Sequence, residues 1–263
     1  MFAMNMPLKD EIPWGSGNRF EKQYIEDCLD KADETLAQGF FIAEKVVLPC
    51  EQLEVLDLGC GIGTHISAFA QSGFDCTGVD ISPFSTKYAN EIAILQNTAV
   101  SVINDDFMNP AIFTQSAMIT CLNDTLGLLS DDEADNFISL IFDNLIAQGL
   151  FILSGTNREQ IVEKMSFKIG SGKKWEEKNG LMSCRTEFFD FLNGRYNITH
   201  EFMDMKTGEK ISEPISSVRF YTLSEINNLL ENNGFSIESI FGDYEGGEYT
   251  AISPHMIIFA RKP

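Results

Sequence analysis

Three glycines at alternate positions, Gly59, Gly61 and Gly63, follow an apolar run, and two carboxylates stand around them, Asp57 and Asp80. Glycines at this spacing let the chain turn without Cβ clashes and bring backbone N–H groups close to a ligand. The spacing is G-x-G-x-G. The dinucleotide fingerprint asks for G-x-G-x-x-G, and the residue in its last place here is Thr64. Asp57 lies inside the apolar run, two residues before the loop. A carboxylate there is costly unless a ligand uses it. A pyrophosphate would be repelled, whereas a cationic ligand or an amino group would be held. Asp80 closes the next apolar run, 17 residues after Gly63, where a carboxylate can accept bonds from ribose hydroxyls. The pattern points to a cationic, ribose-bearing cofactor over a dinucleotide. The competing reading is a tight strand–helix turn with a capping Asp, which asks for no ligand.

The elements that must position these residues follow from periodicity. Residues 55–58, 76–80, 100–104, 117–122 and 149–154 are short apolar strands. Residues 65–71, 82–96 and 131–146 read as helices between them, the second opened by Ser82-Pro83 and the third by acids in its first turn. Alternating strands and helices imply a parallel sheet, and continuous apolar runs imply cover on both faces. Residues 1–18 show no clear period, and 19–47 predict one or two helices, interrupted near Gly39. After Asn157 the rhythm changes. Residues 158–180 are polar and rich in Gly and Lys, and 184–190, 196–205 and 211–221 alternate like antiparallel strands. A helix returns at 222–233, with Thr222 as N-cap, Glu225 three residues on and Gly234 just past its end. Strands at 236–241 and 256–260 close the pattern.

A chain of 263 residues holds one large α/β domain with an insertion, or two small domains. The formal net charge of −20 argues against nucleic acid and against anionic membrane surfaces as partners. The six cysteines, at 28, 50, 60, 76, 121 and 184, form no C-x-x-C pair, and three histidines are too few to complete a zinc site with them, so no metal is expected. Scattered cysteines in apolar runs suit a reducing, cytoplasmic setting. The N-terminal residues lack the pattern of a secretory signal, and no stretch approaches the ~20 apolar residues of a membrane span.

The series VLDLGCGIGT, GVDIS, NDDF and TCLND resembles the class I, seven-stranded S-adenosylmethionine-dependent methyltransferases, strongly over 40–155 and more loosely over 218–261. The resemblance implies that Gly59, Cys60 and Gly61 line the cofactor through their backbone and that Asp57 orients its amino-acid part. Asp80 would grip the ribose, with Ile81 against the adenine. Asp106 would face the adenine amino group and Phe107 its ring, while Leu122 and Asn123 would close the site. One departure is Asp105, which stands where the family usually has Gly. The expected fold is α/β: a Rossmann-like seven-stranded sheet of order 3-2-1-4-5-7-6, last strand antiparallel, helices on both faces, and a β-rich cap inserted after strand 5. The division expected is an N-terminal arm and helices at 1–45, a methyltransferase domain at 46–155 and 219–263, and the cap at 156–218.

Within that superfamily the plan is similar to small-molecule enzymes with an antiparallel insertion after strand 5, which implies methyl transfer to nitrogen or oxygen of a metabolite or natural product. S-adenosylhomocysteine would be the product. The acceptor pocket should lie beyond the carboxyl ends of the strands, where the arm and the insertion can cover it. A base would help a hydroxyl or ammonium acceptor. Asp124 is the first candidate, then His200 and Tyr24; His255 is a further one, read as structural. His65 is expected to support the site or face solvent. Trp14, Phe20 and Tyr24 would form an aromatic lid or dock a helix. Arg19, Arg158, Arg185 and Arg219 could clamp a carboxylate, although 39 acids offer each of them an ion pair. The expected partner is a small-molecule methyl acceptor, with room left for a homodimer. The alternatives are a non-catalytic S-adenosylmethionine-binding regulatory subunit and a protein methyltransferase. A nucleotide-binding oxidoreductase is disfavoured by Asp57 and the missing last glycine.

Overall fold

The structure is a computed structural model and describes residues 19–48, 53–166, 172–178, 181–208, 210–212 and 216–263. Two helices open it, α1 (Arg19–Asp30) and α2 (Ala32–Lys45). The interruption expected at Gly39 falls at Lys31 instead. Gly39 sits inside α2, where a Cβ would lie 2.6 Å from the Cβ of Ala68. Its smallness serves a close helix–helix approach, not a break.

The alternation then runs β1 (Glu54–Leu58), α3 (Thr64–Gln71), β2 (Asp75–Asp80), α4 (Pro83–Gln96), β3 (Val100–Asn104), β4 (Ser116–Cys121), α5 (Asp131–Asn144) and β5 (Leu145–Thr156). Next come α6 (Arg158–Ser166) and five strands, β6 (Gly172–Lys178), β7 (Leu181–Asp190), β8 (Arg195–Asp204), β9 (Lys210–Ser212) and β10 (Ser216–Arg219). The chain ends with α7 (Leu223–Asn232), β11 (Ser236–Phe241) and β12 (His255–Arg261). Seven strands form one sheet in the order β3-β2-β1-β4-β5-β12-β11. The first five pair in parallel, and β12 runs antiparallel to both β5 and β11. This is the Rossmann-like order expected from the sequence. The remaining strands form a small antiparallel sheet, β10-β8-β7-β6, with β9 on β8.

Alternating side chains of the central strands feed two cores. Leu56 and Leu58 of β1, Ile119 of β4 and Phe151 of β5 pack with Phe137, Ile138 and Ile141 of α5. Val55, Met118 and Ile152 point the other way and pack with Ile66 and Phe69 of α3 and Ile42 of α2. Period-2 alternation with apolar residues on both faces is what a sheet covered by helices requires. Capping boxes set two helix starts. Ser130 with Glu133 opens α5, and Thr222 with Glu225 opens α7. Ser130→Ala is expected to cost about 1 kcal/mol, read as a lower urea midpoint at unchanged slope. The small sheet is tied down by arginines. Arg195 donates to the Leu129 carbonyl at 2.6 Å, and Arg219 pairs with Asp131 and Glu225 while its guanidinium lies 4.8 Å from the Tyr221 ring centre.

Candidate active site

The chemistry gathers at the carboxyl edge of the parallel strands. The loop after β1 is drawn onto β2 by Gly59 N–H and Cys60 N–H, which donate to the Val79 carbonyl at 2.8 and 3.0 Å. Gly61 N–H donates to Asp80 Oδ2, and Ser82 N–H to Asp80 Oδ1, both at 2.9 Å. Asp80 thus links the glycine loop to the start of α4. Gly59 has φ +78°, and a Cβ on it would lie 2.5 Å from Cγ2 of Thr125. Only glycine lets this loop pass beside the turn after β4.

Asp57 is buried in β1, and its Oδ1 accepts the Thr120 hydroxyl at 2.6 Å. Burial pushes its carboxyl up to about 7, with the nearby Asp80 adding to the rise and the Thr120 bond opposing it. An inward carboxylate held this far from its usual range, beside a cavity, is what a cationic ligand would relieve. His65 is buried too. Its Nε2 lies 3.2 Å from Gln38 Oε1, and burial lowers it to about 4, so it supports the wall as a neutral ring.

Past β4 the backbone turns through two left-handed residues, Asn123 (φ 52°) and Asp124 (φ 65°). Asn and Asp tolerate this region better than other L-residues. The turn aims Asp124 at the end of β5, where Thr156 N–H donates to Oδ1 at 2.7 Å and Thr156 Oγ1 to Oδ2 at 2.6 Å. Gly155 makes the room, since a Cβ there would lie 2.6 Å from Asp124 Oδ1. Asn123 N–H and the Tyr244 hydroxyl both donate to Ser154 Oγ, at 3.1 and 2.9 Å. Burial raises the Asp124 carboxyl, against the pull of its two bonds to Thr156. His255, the first residue of β12, is paired across the sheet with Thr156. Its ring meets Tyr244 edge-on at 5.2 Å.

A cavity of about 400 Å³ joins these parts. Its wall includes Asp57, Gly59, Cys60 and Gly61 from the loop, and Leu122, Asn123 and Asp124 from the turn. Thr156 and His255 extend it, and Lys31, Glu34 and Gln38 close it from the N-terminal helices. The sequence pattern missed Lys31 and Glu34 and read His255 as structural. Lys31 is the one Lys or Arg on this wall among the described residues.

The remaining residues singled out in the sequence lie elsewhere. Ile81 is 69% exposed beside Asp80. Asp106 is exposed and caps the Met108 N–H at 2.8 Å, while Asp105 accepts from Asn109. Phe107 packs against the α5 core, 5.2 Å from Phe137, and stays partly exposed. His200 belongs to β8, and among the described residues no strand of the small sheet lines the cavity. Among the described residues the cavity is covered by α1 and α2, with no residue from the strands of the insertion. The side chains of Arg19, Phe20, Tyr24 and His200, and all of Trp14, lie outside the described residues. Arg158, Arg185 and Arg219 are each held by a carboxylate, so none is a free clamp. Among the described residues no cluster of His, Cys, Asp and Glu could hold a metal ion, and no helix is long and apolar enough to cross a membrane.

Residues 55–149 match the family model of a methyltransferase domain. The chain is similar to a carboxy-S-adenosyl-L-methionine synthase of Shewanella halifaxensis, 27% identical over 194 residues, which cover 72% of this chain and 70% of that protein. A solved S-adenosylmethionine-dependent methyltransferase from Clostridium acetobutylicum superposes with a TM-score of 0.72 at 18% identity, covering 91% of this chain and 96% of the other. A sugar N-methyltransferase from a Streptoalloteichus species superposes with a TM-score of 0.58 at 13% identity over 98% of both chains. These two likenesses are of fold. The site fits the cofactor that the family takes: a glycine cradle that a Cβ would fill, a buried carboxylate for an ammonium and a strand-end carboxylate for a ribose. Residues 55–149 form a methyltransferase domain by that match, and the sheet order and glycine loop are those of the class I S-adenosylmethionine-dependent methyltransferase fold.

Proposed function

We propose that the protein transfers the methyl group of S-adenosylmethionine to nitrogen or oxygen of a small molecule. The observation that carries this is the cavity of about 400 Å³, which continues from the glycine loop past Asn123 to Asp124 and His255. That size suits a small ligand and is too confined for a folded partner. The sugar N-methyltransferase that shares the fold acts on acceptors of this class by its name.

The bound sulfonium supplies an activated methyl group; the protein's work is to hold, align and exclude water. Asp57 and Lys31 would take the ammonium and carboxylate of the cofactor's amino-acid part, Lys31 in place of the arginines considered from the sequence. Gly59, Cys60 and Gly61 would line it through the backbone. Asp80 would accept from the ribose, Ile81 would pack against the adenine, and Asp106 would face its amino group. Leu122 and Asn123 would separate the cofactor from the acceptor. Asp124 stands at the acceptor end. The described cysteines are free thiols, in keeping with a reducing compartment.

Asp57 makes this reading dependent on pH. The free protein keeps that carboxyl protonated until about 7, whereas an unfolded chain ionises it near the ordinary 3.8. The group therefore takes stability from the free fold as pH rises between those values. A cofactor ammonium needs the carboxylate, so the proton must leave on binding. Affinity for S-adenosylhomocysteine is expected to rise by up to about tenfold per pH unit below 7 and to level off above it. Titration calorimetry from pH 5.5 to 8 reads this, and Asp57→Asn should flatten the slope.

The acceptor class is tested with S-adenosylmethionine carrying a labelled methyl group, offered in turn to a protein-free metabolite extract, to protein and to nucleic acid. Label is expected in the metabolite fraction. Label confined to protein would overturn the small-molecule reading. Bound S-adenosylhomocysteine with no label transferred to any fraction would favour a regulatory subunit.

A further inference from the structure

The acceptor end of the cavity has a chemistry of its own. The cavity wall carries the carboxylates of Asp27, Glu34 and Asp124 beyond Asp57, against Lys31 as its one Lys or Arg among the described residues. Glu34 and Asp124 act together: both press electrostatically on the His255 ring and on the Tyr244 hydroxyl. Both line the same cavity wall from two elements, Glu34 from α2 and Asp124 from the turn after β4. The Asp124 carboxylate is fixed by Thr156, and each of its oxygens keeps a further lone pair for a ligand. His255 is the complement. Among the described residues no side chain or backbone group hydrogen-bonds its ring nitrogens, and only the Tyr244 edge holds its plane. A half-buried imidazole on the cavity wall, with no hydrogen-bond partner among the described residues, is placed to serve a substrate.

We propose that the methyl acceptor is a small amine, seated as its ammonium ion between Glu34 and Asp124, and that His255 takes the proton that frees its nitrogen lone pair. This rests on the methyl-transfer reading above and names its substrate class. A carboxylate acceptor would be repelled by the acids, and a neutral hydroxyl would leave two carboxylates uncompensated. The ammonium gives one proton to a ring nitrogen of His255. The freed lone pair then forms the nitrogen–carbon bond to the methyl group as the carbon–sulfur bond breaks, its electron pair returning to sulfur. The products are a methylated ammonium and the neutral thioether, and the imidazolium passes its proton to solvent. Burial lowers His255, so its ring is neutral and ready near neutral pH. Asp124, Glu34 and Asp243 pull the other way and stabilise the imidazolium once it forms.

The test uses the full chain saturated with S-adenosylhomocysteine. Linear alkylamines, cyclohexylamine and glucosamine are titrated by calorimetry beside their hydroxyl counterparts, linear alcohols, cyclohexanol and glucose. The same compounds are then offered with S-adenosylmethionine. At least one amine should bind and be N-methylated, and its hydroxyl counterpart should do neither. Asp124→Asn should weaken amine binding at least tenfold while the affinity for S-adenosylhomocysteine holds. His255→Gln should keep both affinities within about threefold, lower kcat by about 10²-fold and erase the acidic limb of the pH–rate profile. An alcohol turned over in preference, no amine bound to the complex, or wild-type kcat and pH profile in His255→Gln would each overturn the proposal. If S-adenosylhomocysteine itself does not bind, the methyl-transfer reading fails first, and this proposal with it.

Discussion

Asp80→Ala is expected to weaken S-adenosylhomocysteine binding by about 10²- to 10⁴-fold. Asp80 Oδ2 accepts Gly61 N–H and Oδ1 accepts Ser82 N–H, both at 2.9 Å, so the group is held rigidly at the mouth of the glycine loop. Each oxygen has capacity for one further donor. Two ribose hydroxyls there would make charge-assisted bonds worth about 1.5–3 kcal/mol each, which gives the range stated. The same substitution frees two backbone N–H groups at the surface and should lower stability by only about 1–3 kcal/mol. Asp80→Asn keeps one acceptor oxygen and should fall between wild type and Ala. Calorimetry gives the affinity, and a urea melt run beside it shows that the fold persists. Wild-type affinity in Asp80→Ala would remove Asp80 from the ribose site.

Gly59→Ala is expected to harm the fold and the site together. The new Cβ would sit at φ +78°, which costs an L-residue about 1–2 kcal/mol, and it would lie 2.5 Å from Thr125 Cγ2 and 2.9 Å from its Oγ1. Thr125 cannot simply swing away, because it is buried and its hydroxyl donates to the Leu122 carbonyl at 2.7 Å. Overpacking of this kind costs about 1–3 kcal/mol more, for a total of about 2–5 kcal/mol and a Tm lower by roughly 4–20 °C. Relief must come from the turn that carries Leu122, Asn123 and Asp124, so cofactor affinity and acceptor geometry should both suffer. Thr125→Ser in the same chain removes the nearer atom and keeps the bond to Leu122, and it should restore part of the Tm. A Gly59→Ala protein that melts and binds like wild type would show that the loop does not pack on Thr125 in this way.

The glycine-loop side of the cavity was legible in the sequence because its geometry is local. Gly59, Gly61, Asp57 and Asp80 lie on one strand–loop–helix–strand unit, and each follows from what a parallel strand end must do. The sheet order was legible for the same reason, since strand and helix alternate with little interruption. The acceptor half was not. Lys31 and Glu34 reach the cavity only because α2 packs tightly on α3 at Gly39 and Ala68. The sequence shows Gly39 as a breaker, and nothing local distinguishes a glycine that breaks a helix from one that lets two helices touch. His255 looked structural because it opens the last strand. That strand runs backwards, so its first residue arrives at the edge where the parallel strands end. The antiparallel direction was expected, and combined with the position of His255 it places that residue on the cavity wall. Gly155 was a second unused signal: a glycine near the end of a buried strand marks a close approach, here by the Asp124 carboxylate.

The central claim is that the cleft beside Gly59, Asp57 and Asp80 holds S-adenosylmethionine and not a dinucleotide. Parallel calorimetric titrations of the full chain with S-adenosylhomocysteine and with NAD test it most directly. One S-adenosylhomocysteine should bind per chain, with binding abolished or strongly weakened by Asp80→Ala, and NAD should not bind. NAD bound at one per chain with S-adenosylhomocysteine unbound would contradict it.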